Sequence, residues 1–209
     1  MKIALIWHGQ TRELLRCISK WKLFIDHCSP DIFAHTWSPL TFDLNSLGLK
    51  SLLIEEPNNF DEYKHGITEY ESSALNVLPQ MYSIYQANQL RRKYESEHNF
   101  NYDWIIRSRF DLSLHDPKII FEHLDPAYNY VANNHWTHHH GMFDDNLMVS
   151  SGEHDHINSR LFGAATNYII NKKVIPSGEQ LLSSFIKDNS WLPPIIKQAS
   201  LDFTLARNL

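Results

Sequence analysis

An α/β domain built on a mostly parallel central sheet flanked by helices is the fold this sequence predicts, and three observations predict it. Lys2–Trp7 is an almost continuous apolar run that ends in Gly9, as expected of a strand buried on both faces. Leu14, Leu15, Ile18, Trp21, Lys22 and Ile25 then recur at spacings of three and four, the period of a helix with one packed side. Two more short strand-like runs follow, Asp31–Trp37 and Ser51–Glu56. Strand, helix and strand on short links make a βαβ unit, which calls for parallel pairing and a right-handed crossover.

The elements follow in order. Thr11 is placed to cap the first helix, and Pro30 closes that unit. Residues 57–78 are polar and mixed, and read as a surface loop. A longer helix is expected to begin after Pro79, with Met81, Ile84, Tyr85, Asn88 and Arg92 on one side, and to be spent by His98-Asn99. Trp104–Leu112 reads as a strand that becomes charged toward its end, and Tyr128–Val131 and Asn146–Val149 as two more strands. Between them, His135–Gly141 forms a polar aromatic loop. Helices are expected over about Glu153–Asn171 and Glu179–Lys187, the second after Pro176-Ser177-Gly178. Leu201–Arg207 alternates apolar and polar residues in the manner of an edge strand.

Length and composition limit the function classes. The 209 residues, 43% hydrophobic, suit one domain able to bury a sizeable core without disulfides. The formal net charge of −5 argues against a duplex nucleic-acid binder. Cys17 and Cys28 read as thiols in a reducing compartment. The apolar start is too short for a secretory signal, and no window reaches the ~20 apolar residues of a membrane span. A cytoplasmic protein is the expectation, with peripheral membrane contact left open. Thirteen histidines, six Trp, nine Tyr and eleven Phe are the unusual counts. Such side chains suit sites that grip rings, sugars or nucleobases, and equally fill core and surface positions.

Five stretches are candidates for chemistry. In His8-Gly9-Gln10-Thr11-Arg12, a glycine past the first strand lets backbone approach a ligand, the next helix start attracts anions, and Arg12 adds a fork for phosphate; a plain tight turn is the other reading. In Arg107-Ser108-Arg109-Phe110-Asp111, alternation puts 107, 109 and 111 on one face. The arginines would meet a phosphate and Asp111 a divalent cation, or the three form a salt-bridge ladder. Asp144-Asp145-Asn146 offers a general base, a metal ligand or simply a turn. His138, His139 and His140 are consecutive and cannot all face one way, which fits a loop over a polar ligand or a solvated loop better than a zinc site. Ser177-Gly178-Glu179 is a helix start with an acid in its first turn. No serine-hydrolase elbow and no His-Glu-x-x-His is present.

Several segments taken together resemble a family of small GT-A-like glycosyltransferases of bacterial and viral surface polysaccharide assembly. Ile3–Arg12 is similar to the family's "isGqpR" opening, and Asp31–Trp37 to its "DvFiHtW". Met81–Asn88 resembles "mfysiykan", and Tyr102–Leu112 resembles "yDvviRtRfDl". Asp145–Val149 stands where the family has "nDqfafg", Ser177–Leu182 where it has "pEqll", and Phe203–Arg207 resembles its last strand. The ordered set spans nearly the whole chain. It implies a Rossmann-like, GT-A-like fold over residues 1–209, with 1–112 a nucleotide-sugar-binding half and 113–209 an acceptor-side half.

The resemblance further implies a nucleotide-sugar donor, a glycan or lipid-linked acceptor, and a divalent cation, Mn²⁺ or Mg²⁺, at Asp111. Gly9, Gln10, Arg12, Arg107, Arg109 and Asp111 would serve the donor, and Asp145 and Glu179 the chemistry. Arg109 stands where the family's Asp-x-Asp has its first acid, Asn146 replaces a Gln, and Gly178 replaces a Pro. Two other functions fit the same residues: a nucleotide- or sugar-binding module without turnover, and a nucleotidyltransferase-like phosphate enzyme.

Overall fold

The computed structural model describes residues 1–58, 60, 74–116, 121–132, 142–172, 174, 177–192, 194–198, 201 and 203–205. Strand β1 (Ile3–Gly9) leads to helix α1 (Leu14–Cys28) and strand β2 (Asp31–Trp37). Then come β3 (Ser51–Glu55), α2 (Ala74–His98), β4 (Trp104–Arg109) and β5 (Leu112–Leu114). The second half holds β6 (Asn129–Ala132), β7 (Leu147–Ser151), α3 (His156–Ile170), α4 (Gly178–Asp188), β8 (Ile195–Gln198) and β9 (Phe203–Leu205).

Seven strands form one sheet in the order β3-β2-β1-β4-β7-β6-β8. Pairing is parallel for β1 with β2, β1 with β4, β2 with β3 and β6 with β8; β7 runs against both of its neighbours. The sheet is therefore mixed but mostly parallel, a Rossmann-like α/β arrangement. Its two faces differ. Leu5, Trp7, Ala34 and Ile106 face α1, where Leu14, Cys17, Trp21 and Phe24 complete an apolar layer. Trp7 packs its ring against Trp21 and Phe110 at centroid distances of 5.0 and 5.1 Å. The opposite face packs against α2, α3 and α4, where Ile6, Phe33, Ala87, Met81, Leu161 and Leu181 are buried.

Several elements differ from the sequence expectation. Helix α2 begins at Ala74 with Pro79 inside it, so the helix starts ahead of the proline and not after it. Pro79 lies near the helix start, where its missing N–H forfeits one ladder bond close to an end. The buried arginine of α2 is Arg91 and not Arg92. Thr11 does not cap α1. That helix has no side-chain cap, and the Thr11 hydroxyl meets Thr41 Oγ1 at 3.1 Å. The closing strand is an edge strand of a separate two-stranded sheet with β5, not of the main one. The charged strand ends at Arg109, so Asp111 is reached through a turn and does not share a strand face with Arg107 and Arg109. The loop expected over 57–78 is too long by residues 74–78, which are helical; residues 59 and 61–73 of it, and the histidine loop at 138–140, lie outside the described residues. Cys17 and Cys28 are free thiols. Among the described residues, no helix is long and apolar enough to cross a membrane.

Candidate functional site

A cleft of about 510 Å³ opens at the carboxyl ends of β1, β2 and β4, against the start of α2. Crevices beyond strand carboxyl ends are where open α/β sheets take ligands. Gly9, Gln10, Arg12, Arg109 and Asp111 all line it, joined by His8, Trp37, Asn58 and Gln80. Arg107, Asp145 and Glu179 do not line it. The structure therefore gathers five of the expected residues around one opening and leaves three outside its lining.

The turn after β1 depends on Gly9, whose φ of +100° lies in a region that side-chain-bearing residues rarely enter. A Cβ added there would meet nothing within 4 Å, so the requirement is one of backbone angle and not of space. The Gly9 N–H is also committed, since it donates to Ser83 Oγ at 3.0 Å. Ser83 Oγ lies 2.7 Å from His35 Nδ1, and His35 Nε2 lies 2.8 Å from Glu55 Oε2. The Glu55 carboxylate accepts, so His35 carries a proton on Nε2, and Ser83 Oγ, beside Nδ1, also donates to the His35 carbonyl at 3.2 Å. Carboxylate, imidazole and hydroxyl thus hold the turn in place from beneath. Arg12, in contrast, is exposed at the cleft, with no hydrogen bond or ion pair among the described residues.

Burying charge requires partners, and the two arginines of β4 find different ones. Arg107 is fully buried. Its Nη2 donates to the Asp145 carbonyl at 3.0 Å and its Nη1 to Asn158 Oδ1 at 3.1 Å, while its Nε has no partner among the described residues. Burial pulls its pKa down, against the attraction of Asp145, Asp144 and Asp155. Arg109 forks onto Asp111 through Nε at 2.7 Å and Nη2 at 2.6 Å, and Nη1 reaches Asn146 Oδ1 at 3.3 Å. Burial is the largest influence and opposes that charge, but Asp111, Asp145 and Asp144 together outweigh it and the guanidinium's pKa is raised.

The donor set around Asp111 does not fit a divalent cation. Both carboxylate oxygens accept from Arg109, and among the described residues no three His, Cys, Asp or Glu side chains converge to hold a metal ion.

Asp144 and Asp145 precede β7 in a turn and have different jobs. Asp144 Oδ1 accepts from the backbone N–H of Asn146 at 2.8 Å and of Leu147 at 3.4 Å, which fastens the turn. Asp145 is buried, and its Oδ2 accepts from Gln80 Nε2 at 2.8 Å. Behind it lies the start of α4, where Ser177 caps the helix by accepting from Gln180 N–H at 3.2 Å. A Cβ built on Gly178 would fall on Asp145 Oδ2. That contact leaves no room for a side chain at position 178. Burial first, then the charges of Glu179 and Asp144, push the Asp145 carboxyl up to about 7, against Arg107 and Arg109.

Sequence reasoning did not single out Gln80, Trp37 or Asn158 as functional residues. Trp37 is buried, lines the cleft and stacks on Tyr82 at 5.7 Å with an interplanar angle of 23°. Its signal was its place at the end of a strand. Gln80 carried no signal beyond following Pro79. His8 is fully buried, and neither ring nitrogen has a partner among the described residues. Burial, then Arg107, Arg109 and His35, hold its pKa well below the ordinary value, so the ring is neutral.

No protein-family model matches this chain, and no curated protein matches it. Among solved structures, the crystal structure of a glycosyltransferase involved in the glycosylation of the major capsid of PBCV-1 superposes on it with a TM-score of 0.51 and 10% identity. The match covers 94% of this chain and 82% of that one. At that identity the likeness is one of fold: the chain has a glycosyltransferase-like α/β fold.

Proposed function

We propose that this protein transfers a sugar from a nucleotide-sugar donor to a glycan or lipid-linked acceptor. The observation that carries the reading is the composition of the cleft. It offers a guanidinium on Arg12 with no partner among the described residues, the remaining N–H groups of Arg109, whose fork is held by Asp111, and the part of the Trp37 ring that lines the opening, its other side being stacked on Tyr82. A diphosphate takes guanidinium forks, and a nucleobase or sugar ring takes an aromatic face. On departure of the nucleoside diphosphate, negative charge grows on its phosphate oxygens, and Arg12 and Arg109 are the groups available to stabilise it. The fold shared with a glycosyltransferase supports the same reading.

Asp145 is the carboxylate assigned to the proton of the acceptor hydroxyl; it lies one hydrogen bond behind the cleft wall, under the Gln80 amide, so the role requires Gln80 to move aside when the acceptor binds. A general base works best when its pKa lies near the operating pH, and Asp145 is pushed up to about 7. Glu179 helps keep it there by charge repulsion. Asp144 fastens the turn, so it serves as the control.

The test is a panel of UDP-, GDP- and dTDP-sugars, read by thermal shift and by release of free nucleoside diphosphate in the presence of glycan acceptors. Sugar-dependent release that falls by ~10²–10⁴-fold in Asp145→Asn, and much less in Asp144→Asn, supports the assignment. Binding without release would reassign the chain as a binding module. Pyrophosphate release from nucleoside triphosphates would reassign it as a nucleotidyltransferase-like enzyme.

A further inference from the structure

Gln80 stands between the cleft and the buried carboxylate. Its side chain lines the opening, and its Nε2 donates to Asp145 Oδ2 at 2.8 Å. Its Oε1 has no hydrogen-bond partner among the described residues, so the amide's acceptor end is free for a ligand. From the geometry of this contact we infer that Gln80 is a specificity-determining relay: the protonation state of Asp145 sets whether the cleft wall presents a hydrogen-bond acceptor or a donor.

The chemistry follows from the amide's two ends. An ionised Asp145 accepts only, so the NH₂ end must turn inward, leaving the carbonyl oxygen toward the cleft. That wall favours a ligand hydroxyl. A protonated Asp145 must donate. Its Oδ1 has no partner among the described residues, so a proton there gains nothing; on Oδ2 it gains a partner when the amide turns by half a rotation. The NH₂ end then faces the cleft and favours an acceptor-only group such as a phosphate oxygen.

The surroundings hold the carboxylate in place while this happens. Gly178 packs directly over Oδ2, and the Asp145 carbonyl is held by Arg107. The charged groups that bear on the carboxylate are Glu179 on α4, Asp144 in its own turn, and Arg107 and Arg109 on β4. The first two favour the protonated state and the arginines the ionised one.

This deepens the donor-site reading of the cleft, but its first test needs no turnover. The side-chain amide resonances of Gln80, assigned by their loss in Gln80→Met, are followed by NMR from about pH 5 to 8.5 beside the ¹³C carboxyl resonance of Asp145. We expect one shared midpoint in the wild type and a flat Gln80 signal in Asp145→Asn. In Glu179→Gln both midpoints move down together, which keeps the test valid should Asp145→Asn fail to fold. The second arm uses sulfate, which does not titrate in this range. Its dissociation constant should be roughly three- to tenfold lower at about pH 6 than at about pH 8, the worth of one hydrogen bond, and Gln80→Met should lose most of that ratio. Flat Gln80 resonances in the wild type, or titration that persists in Asp145→Asn, overturns the relay. A sulfate ratio that persists in Gln80→Met also overturns it, since the charge of Asp145 would then act through space. Either result leaves the nucleotide-sugar reading standing. That reading fails on the donor panel instead: by no binding, by binding without release, or by pyrophosphate release from nucleoside triphosphates.

Discussion

The two faces of the central sheet are made from the same strands and are opposite in chemistry. Toward α1, β1, β2 and β4 present Trp7, Ala34 and Ile106; one residue further along each strand, toward α2, they present His8, His35 and Arg107. The α1 face closes as hydrocarbon on hydrocarbon, so almost any well-packed apolar set would serve there. The other face carries buried polar and charged groups, and each obliges the fold to supply partners. His35 engages Ser83 and Glu55, and Arg107 engages the Asp145 carbonyl and Asn158; at the opposite end of the strands Arg91 pairs with Glu95 and Asp155 at 2.6 Å each. Where a fold sustains that expense beside an opening, the opening is the place to seek function.

The largest expected effect tests the α1 face. Trp21 is fully buried and donates its indole N–H to the Leu112 carbonyl at 2.7 Å. Trp21→Ala should lose about 3–5 kcal/mol of stability in urea denaturation while leaving nucleotide affinity intact in the folded fraction. A matching loss of affinity would mean that the faces are not independent.

A glycine pair sharpens the comparison. Gly178 has Asp145 against its Cα, whereas the space around Gly163 of α3 is open. Gly178→Ala should destabilise by about 1–3 kcal/mol through overpacking and displace the carboxylate. Gly163→Ala should stabilise by about 0.5–1 kcal/mol through helix propensity. Equal effects at the two sites would remove the claim that Asp145 is held by close contact.

The pH dependence of stability has a sign that belongs to the polar face. Asp145 is raised to about 7 from an ordinary ~3.9. Between those values the folded protein keeps a proton that the unfolded chain has released, so this group makes stability fall as pH rises through the window. His8 and His35 are shifted down. Below their ordinary ~6.5 the unfolded chain holds the extra protons, and they make stability rise with pH. Asp145→Asn should remove the falling component and leave the rising one, as read by urea midpoints from about pH 4.5 to 7. An unaltered slope would contradict the placement of Asp145.

How much of this was legible in the sequence follows the same division. Apolar periodicity marked β1, α1, β2 and β3, because burial on a regular element leaves a regular pattern. Gly9, Arg12, Arg109 and Asp111 were legible as cleft residues because they sit where strands end. Helix α2 was misplaced at its start because a proline reads as a boundary, and β8 was missed because four residues, Ile195–Gln198, are too few for a period to show. Nothing local marks Gln80 or Asn158. Their roles come from partners 65 and 51 residues away in the chain, a relation no spacing encodes. Gly178 illustrates the same limit: it stood out as a departure from the resembling family, and only its contact with Asp145 shows that the position has no room for a side chain.

The smallest effect on stability accompanies the most direct test of the cleft. Arg109→Gln and Arg12→Ala are each titrated calorimetrically with the nucleoside diphosphate that the sugar panel selects. Arg12 is exposed and has no partner among the described residues, so Arg12→Ala should leave stability within about 0.5 kcal/mol. The account predicts one binding site in the wild type, weakened roughly tenfold or more in Arg109→Gln, as expected when a charged hydrogen-bond donor is lost, and by a smaller factor in Arg12→Ala. Unchanged affinity in both variants would contradict it and place the nucleotide elsewhere on the molecule.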